Sequence, residues 1–200
     1  MVLRDNKKKA SAHSKAIGGY LRELRALIEI TESQNGRDIE RVVKVLRKAR
    51  DDGATVFICG NGGSGSTASH FVCDLAKCTI KKGRRRFRAM SLTDNVPVLL
   101  AWANDNSYDA VFVEQLKNQY LPGDVLIGIS GSGNSKNVLR AVDFVNRNRG
   151  TTIGFTGYDG GKLKKMARYN IHINKKNMQM VEDLHMILVH MIASVLRDVA

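Results

Sequence analysis

The sequence of 200 residues lacks several features that would assign it to a protein class at once. Its three cysteines, Cys59, Cys73 and Cys78, are an odd number and form no CxxC pair, so no disulfide framework is indicated. No apolar amino-terminal segment precedes a cleavage-like site, and the nearly uncharged apolar stretches are shorter than the roughly 18 residues of a membrane span. We therefore expect a soluble protein in a reduced, cytoplasmic compartment.

Linkers, low-complexity tracts and internal repeats are also missing. The chain is long enough to bury one well-formed core. We expect a single domain over residues 1–200, made of a helical segment 1–52 and an α/β core 53–200 that ends in a long helix. Apolar residues at helical spacing in 14–31 and 37–51 predict two helices in the first segment.

Basic residues exceed acidic ones, and the formal net charge is +13. Much of the excess lies in Lys7–Lys9 and in the run from Lys81 to Arg88, which need not form one surface. A nucleic-acid-binding protein would show tight, steeply salt-dependent binding. Solvated basic loops, or attraction of an anionic sugar phosphate, explain the same charge, so nucleic acid is disfavoured as a partner.

Short apolar runs rich in β-branched residues alternate with helical patterns. The predicted strands cover 54–59, 87–92, 124–129, 151–155 and 170–173, and the helical patterns cover about 64–78, 94–119, 134–148, 160–168 and 178–198. Strands that alternate with helices imply right-handed crossovers. The prediction is an α/β three-layer sandwich with a five-stranded, mainly parallel sheet flanked by helices.

Two glycine-serine loops follow the first and third predicted strands. The loops are Cys59-Gly60-Asn61-Gly62-Gly63-Ser64 and Ser130-Gly131-Ser132-Gly133-Asn134-Ser135. Glycine lets the backbone approach a ligand, serine supplies hydroxyl donors, and the following helix start attracts an anion. Either loop alone is as compatible with a capped turn as with a ligand site, but two at equivalent strand ends favour a phosphorylated ligand. Neither matches the GxxxxGK[ST] nucleotide loop.

Two helices carry imidazoles and carboxylates on one face. His70 and Asp74 are four residues apart, and Glu182 and His190 are eight apart. If these faces meet, the set could bind zinc or act as a general acid and base. A solvated surface is the alternative for either pair, and Asp183 and His185 are equally open as functional members.

Several of these segments together resemble the sugar-isomerase (SIS) domain of phosphoheptose isomerases. The segments are Gly60–Ser64, His70-Phe71 with Asp74, Ser132–Val138, Gly157–Lys162 and Glu182–His185 with His190. The resemblance covers residues from about 14 to the carboxyl terminus. It implies a flavodoxin-like SIS fold, conversion of sedoheptulose 7-phosphate to D-glycero-D-manno-heptose 7-phosphate for lipopolysaccharide and related surface polysaccharide, and a cytoplasmic homotetramer with sites at subunit interfaces.

The resemblance also implies residue roles. Asp74 and His190 fall on the catalytic positions, and a zinc ion would be held by His70, Asp74, Glu182 and His190. The substrate-binding residues implied, some of them by the loop pattern alone, are Asn61, Gly62, Ser64, Asp105, Ser130, Ser132, Asn134, Ser135 and Glu182.

Three positions depart from the family pattern. Asp74 replaces a glutamate, Glu182 a glutamine, and Gln179 an aspartate. A displacement near an ångström at a reacting group can cost catalysis heavily. The changes could instead favour a divalent metal or a related sugar phosphate. A non-catalytic SIS module, which binds sugar phosphate or a replication initiator to regulate other proteins, is therefore the alternative to an isomerase.

Overall fold

A computed structural model describes residues 11–199. The basic run Lys7–Lys9 lies outside the described residues. The chain divides into two compact units, one ending at Gln34 and the other beginning at Asn35, which we treat separately. The prediction of one domain over the whole chain stays a prediction.

Residues of the first unit are helical from Ala12 onward, in helix α1 (Ala12–Asp52). The prediction of two amino-terminal helices is wrong, because α1 is continuous through Asn35-Gly36. A glycine inside a helix costs only about 1 kcal/mol relative to alanine, which is too little to break a helix without a proline. In the second unit, the Asn35 side chain also accepts a hydrogen bond from the His172 backbone N–H at 3.3 Å.

The second unit contains the rest of α1 and all other elements. In chain order they are β1 (Thr55–Gly60), α2 (Gly63–Cys73) continued by a π-helical turn (Asp74–Cys78), β2 (Arg88–Ser91), α3 (Val96–Asp105), a 3₁₀ turn (Tyr108–Ala110), α4 (Val113–Gln119), β3 (Val125–Ser130), α5 (Lys136–Arg147), β4 (Thr151–Thr156), α6 (Gly161–Met166), β5 (Tyr169–His172) and α7 (Met178–Asp198). The helical pattern predicted over 94–119 is therefore three separate pieces.

The five strands form one sheet in the order β2-β1-β3-β4-β5, and every neighbouring pair is parallel. Strand β3 is buried along its whole length, as expected of a central strand covered on both faces. Helix α2 packs on β1 and against α7, whereas α5 packs on β3 and against α4 and α6. The predicted three-layer α/β sandwich is confirmed.

Helix α7 is long and apolar enough to cross a membrane by length and composition, with a mean hydropathy of 1.3 over its best 18 residues. Half of that window is buried inside the fold. The buried face runs from Met180 to Leu196 and belongs to the core. We therefore assign α7 as a core helix, whose length and apolar composition come from the face that it buries in the fold.

The α7 histidine His185 is fully buried, and this predicts how stability depends on pH. Burial lowers the pKa of His185 from 6.5 to about 4, which outweighs the opposing hydrogen bond to the Thr156 carbonyl. Between these two pKa values the unfolded chain binds a proton that the native protein does not. The contribution of neutral His185 to the free energy of unfolding is therefore fully present above pH 6.5. The free energy of unfolding falls by up to about 3 kcal/mol as the pH drops to 4.

Urea unfolding at fixed protein concentration from pH 7.5 to 4 measures this loss. The variant His185→Gln, which cannot titrate, should lose less stability over this range than the wild type. The free energy of unfolding of the variant should still fall somewhat with decreasing pH, because burial also lowers the pKa of His172. Equal slopes for wild type and variant would show that His185 is not the titrating group.

Candidate active site

The two glycine-serine loops lie side by side in the fold. Strands β1 and β3 are hydrogen-bonded neighbours, so the loops that follow Gly60 and Ser130 leave the same edge of the sheet. Between the loops lies a cavity of ≈ 290 Å³, which we call the serine pocket. It is lined by Asn61, Gly62, Gly63, Ser64, Ile129, Ser130, Gly131, Ser132, Ser135, Met178 and Glu182.

Three helices begin at the serine pocket. Gly63 starts α2, Ser135 immediately precedes α5, and Met178 starts α7. Their free N–H groups and positive dipole ends favour an anion there. The hydroxyls of Ser130 and Ser135 lie 3.0 Å apart and supply further donors. The pocket is therefore suited to a phosphate, although no lysine or arginine lines it.

The segment of residues 157–163 braces the second glycine-serine loop, residues 130–135, which we call the serine loop. The Gly133 carbonyl accepts a hydrogen bond from the Leu163 N–H at 2.9 Å, and the Gly157 N–H donates to the Gly131 carbonyl at 2.9 Å. Asn134 serves the same purpose, since its side chain accepts from the Lys162 N–H and donates to the Ser132 carbonyl. The structure thus places Asn134 as a brace of the loop and not in the pocket wall.

Glu182 lies in the serine pocket beside Gly63. A Cβ on Gly63 would overlap the Glu182 carboxylate, so only glycine permits this approach. The carboxylate sits at the start of α2, where the helix dipole stabilises negative charge. The pocket therefore has hydroxyl donors on one side and a carboxylate acceptor on the other.

The predicted groups His70, Asp74 and His190 come together about two turns further along α2 and α7 than Gly63 and Glu182. The Nε2 atoms of His70 and His190 are 2.7 Å apart, and Asp74 Oδ2 lies 3.5 Å from the first and 3.9 Å from the second. The two rings meet edge to face with centroids 4.8 Å apart. We call this set the histidine cluster.

The histidine cluster has the chemistry of an acid and base site. At 2.7 Å one Nε2 must carry the hydrogen and the other must accept it, so the pair holds a proton that it can donate. Asp74 is mostly buried at the start of the π-helical turn, whereas both imidazoles are partly exposed. A carboxylate base and an imidazole acid therefore face one point that a ligand can reach.

The cluster also has the donor set of a metal site. The ligand atoms of His70, Asp74 and His190 all lie within 4.8 Å of one another. Two imidazoles and one carboxylate are ligands that zinc accepts. Two nitrogens bound to one zinc ion would lie about 3.3 Å apart, compared with the 2.7 Å between the Nε2 atoms of His70 and His190. The predicted fourth ligand, Glu182, is not among the three and faces the serine pocket instead.

Helices α2 and α7 run parallel past both sites. Gly63 contacts Glu182 at one level, and His70 contacts His190 at the other. Seven or eight residues of helix separate the two levels, which corresponds to roughly 11 Å along the helix axes. One extended ligand about this long would reach both the serine pocket and the histidine cluster.

A second cavity of ≈ 320 Å³ borders the first, and Asn61 and Gly62 line both. Its polar wall includes Ser69 and Thr93, whose hydroxyls lie 3.2 Å apart. Sequence patterns gave no reason to select these hydroxyls, because they follow no recognisable spacing. Asp105, by contrast, ends α3 on the surface, where it accepts a hydrogen bond from Asn104, and it lines neither cavity.

Fold and site together define the class of protein: a parallel α/β domain with an anion-suited pocket and an acid-base cluster beyond the carboxyl edge of its sheet. A family model described as the SIS domain matches residues 19–157. The chain belongs to the SIS domain family.

Named relatives and a solved structure agree with this assignment. A probable phosphoheptose isomerase of Thermoplasma acidophilum is 37% identical over 80% of this chain and 90% of its own length. The phosphoheptose isomerase of Aquifex aeolicus is 34% identical over 86% of this chain and 88% of its own length. The structure of phosphoheptose isomerase GmhA from Neisseria gonorrhoeae superposes with a TM-score of 0.86 at 26% identity, covering 92% of this chain and 98% of that one.

A substitution at Gly133 tests whether the serine loop depends on its contact with the segment of residues 157–163. Its φ is +65°, and a Cβ there would overlap the Gly160 carbonyl. Gly133→Ala should lower the free energy of unfolding by about 2 kcal/mol or more, and it should weaken inorganic phosphate binding because the loop must move.

Gly83→Ala is the matched control, since Gly83 has φ +81° but open space around its Cβ position. It should lose only about 1 kcal/mol, from backbone strain alone, and leave phosphate binding unchanged. Urea unfolding and calorimetric phosphate titration measure both quantities. Equal losses for the two variants would mean that contact with Gly160 does not matter.

Proposed function

We propose that the protein isomerises sedoheptulose 7-phosphate to D-glycero-D-manno-heptose 7-phosphate. The observation that carries the proposal is the histidine cluster, roughly 11 Å along α2 and α7 from a serine pocket suited to phosphate. The family membership and the phosphoheptose isomerases among its relatives support the same reaction.

The phosphate binds at the serine side of the pocket. Ser130, Ser132 and Ser135 donate hydroxyl hydrogen bonds to it, and the start of α5, which follows Ser135, offsets its charge. The Glu182 carboxylate would repel a phosphate, so it faces the sugar hydroxyls, which donate to it. Binding energy far from the reacting carbons thereby orients the sugar along α2 and α7.

Asp74 and His190 carry the proton transfers. Isomerisation moves a proton between C1 and C2 through an enediol, so one group must take the carbon proton and another must serve the oxygens. Asp74 removes the proton from C1 and returns it to C2, and His190 protonates and deprotonates the oxygens. His70, 2.7 Å from His190, keeps that imidazole oriented and shares its proton.

A divalent metal, with zinc as the candidate, fits the donor set of the histidine cluster. His70, Asp74 and His190 would hold it, and Glu182 would have to turn from the serine pocket to join them. When bound, such an ion polarises the carbonyl and stabilises negative charge on the sugar oxygens.

The cellular setting follows from the proposed reaction. We propose that the reaction takes place in the cytoplasm and that its product is an early precursor of heptose in bacterial lipopolysaccharide and related surface polysaccharide. We propose a homotetramer, which the family resemblance suggests. Within the second unit, the partly exposed apolar side chains of Ile187 and Met191 on α7, one on each side of His190 in sequence, are consistent with a subunit contact.

The direct test mixes purified protein with sedoheptulose 7-phosphate and follows aldose formation by NMR, with added zinc and with a chelator. We expect the aldose phosphate to form, and a higher rate with zinc than with chelator would support the metal. No product under any of these conditions would exclude the assigned reaction.

Two substitutions separate catalysis from binding. Asp74→Asn and His190→Ala should each lower kcat by about 10²–10⁴-fold, because a general base or acid is lost. Phosphate affinity should stay within about threefold, since neither residue lines the serine pocket. The matched controls are Asp143→Asn, at a partly exposed position of α5 where the side chain pairs with Arg147, and His13→Ala, at an exposed position of α1. Site variants that turn over as fast as their controls would show that Asp74 and His190 are not the catalytic groups. No turnover by the wild type and the controls, with phosphate binding retained, would instead favour the non-catalytic SIS module.

A further inference from the structure

Asn61 occupies the wall between the two cavities and borders both. It follows β1 directly, so its backbone is fixed by the sheet. Its side-chain amide has one hydrogen-bond acceptor and two hydrogens, and which end faces a ligand decides what the ligand can be. The partners of this amide therefore bear on substrate recognition.

Two residues from other elements hold the Asn61 amide. Asn137, in the first turn of α5, forms a reciprocal pair with it: each Nδ2 donates to the other Oδ1 at 2.9 Å. The Tyr108 hydroxyl donates to Asn61 Oδ1 at 2.8 Å. Asn137 is only 1% exposed, so its pairing with Asn61 is shielded from water.

The orientation of the pair is set by the backbone of α5. The Val138 N–H donates to Asn137 Oδ1 at 2.9 Å, so that end of the Asn137 amide must be the oxygen. The Nδ2 of Asn137 then faces Asn61, and the atom of Asn61 that accepts from it must be Oδ1. Tyr108 donates to the same Oδ1 and reinforces this orientation.

This arrangement leaves one Asn61 hydrogen for a ligand. Oδ1 of Asn61 already accepts two hydrogen bonds, and one hydrogen of Nδ2 is given to Asn137. Among the described hydrogen bonds, no protein acceptor takes the second hydrogen of Nδ2. Asn61 therefore presents a donor, not an acceptor, to an oxygen of the bound molecule.

We propose that Asn137 is a positioning residue, which together with Tyr108 fixes Asn61 as a hydrogen-bond donor to a sugar or phosphate oxygen. The inference rests on the proposed function, because it concerns how that substrate is bound. It also links the two loops, since Asn137 follows the serine loop and Asn61 belongs to the first glycine loop. Asn61 lies outside the histidine cluster, so its donor acts on binding more than on the proton transfers.

The variant Asn137→Asp tests the proposal with an almost unchanged shape. The carboxylate still accepts from the Val138 N–H and from Asn61 Nδ2 but has no hydrogen for Asn61 Oδ1, so two oxygens face each other and the Asn61 amide is no longer held in one orientation. We expect KM for sedoheptulose 7-phosphate to rise about tenfold while kcat stays within about twofold. Asn118→Asp, an exposed α4 position outside both cavities, adds the same charge and should leave both constants unchanged.

A double-mutant cycle with Asn61→Ala shows whether Asn137 acts through Asn61. In the Asn61→Ala background, Asn137→Asp should raise KM no further, because there is no amide left to orient. An equal rise in both backgrounds, or no rise in the wild-type background, would overturn the proposal. A general structural defect would instead lower the free energy of unfolding and kcat in both backgrounds.

Tyr108→Phe provides a second route if a buried carboxylate at position 137 prevents folding. Tyr108 is 58% exposed, so its hydroxyl can be removed without disturbing the core. We expect about a threefold rise in KM that vanishes in the Asn61→Ala background, and a rise that persists there would overturn the proposal. If the wild type does not turn over sedoheptulose 7-phosphate, the proposed function fails, and dissociation constants for the same compound test the positioning separately.

Discussion

The side-by-side contact of helices α2 and α7 is the constraint on which the rest of the site depends. Gly63 lets the Glu182 carboxylate reach the start of α2, and because the helices run parallel, the next two turns bring His70 against His190. The sheet fixes where α2 begins, since β1 ends at Gly60 beside the end of β3. One packing contact therefore sets both the serine pocket and the distance from it to the histidine cluster. A side chain at position 63 would displace the Glu182 carboxylate from the start of α2.

Much of the fold could be predicted because its signals are local. The five strands are short apolar runs, and each observed strand lies within two residues of the predicted limits. The i,i+4 spacing of His70 and Asp74 placed them on one face, and the structure brings them within 3.5 Å. The continuity of α1 was harder to predict, because the apolar helical pattern is interrupted between residues 31 and 37. Helix α1 runs through this interval, where one glycine costs a helix little, and the Asn35 side chain accepts a hydrogen bond from the His172 N–H.

The orientation of the other polar side chains in the site could not be predicted, because it depends on contacts between distant segments. Glu182 is at helical spacing from His190, but its carboxylate turns to the serine pocket, and only the position of α2 determines that. Asn137 is within a recognised motif, yet its pairing with Asn61 joins residues 76 apart in sequence. Tyr108 belongs to a 3₁₀ turn with no pattern of its own. Residue type and spacing thus indicated the ligand class, whereas long-range contacts determine how each polar group is oriented.

We propose that one sugar phosphate extends along α2 and α7, with its phosphate at the serine loop and its reacting carbons at the histidine cluster. A crystal structure with sedoheptitol 7-phosphate, the unreactive reduced form of the substrate, tests it most directly. We expect phosphate oxygens within hydrogen-bond distance of the Ser130 and Ser135 hydroxyls, and C1 and C2 beside Asp74 and His190. A phosphate bound at His70 and His190, or a polyol chain that turns away from α7, would contradict it.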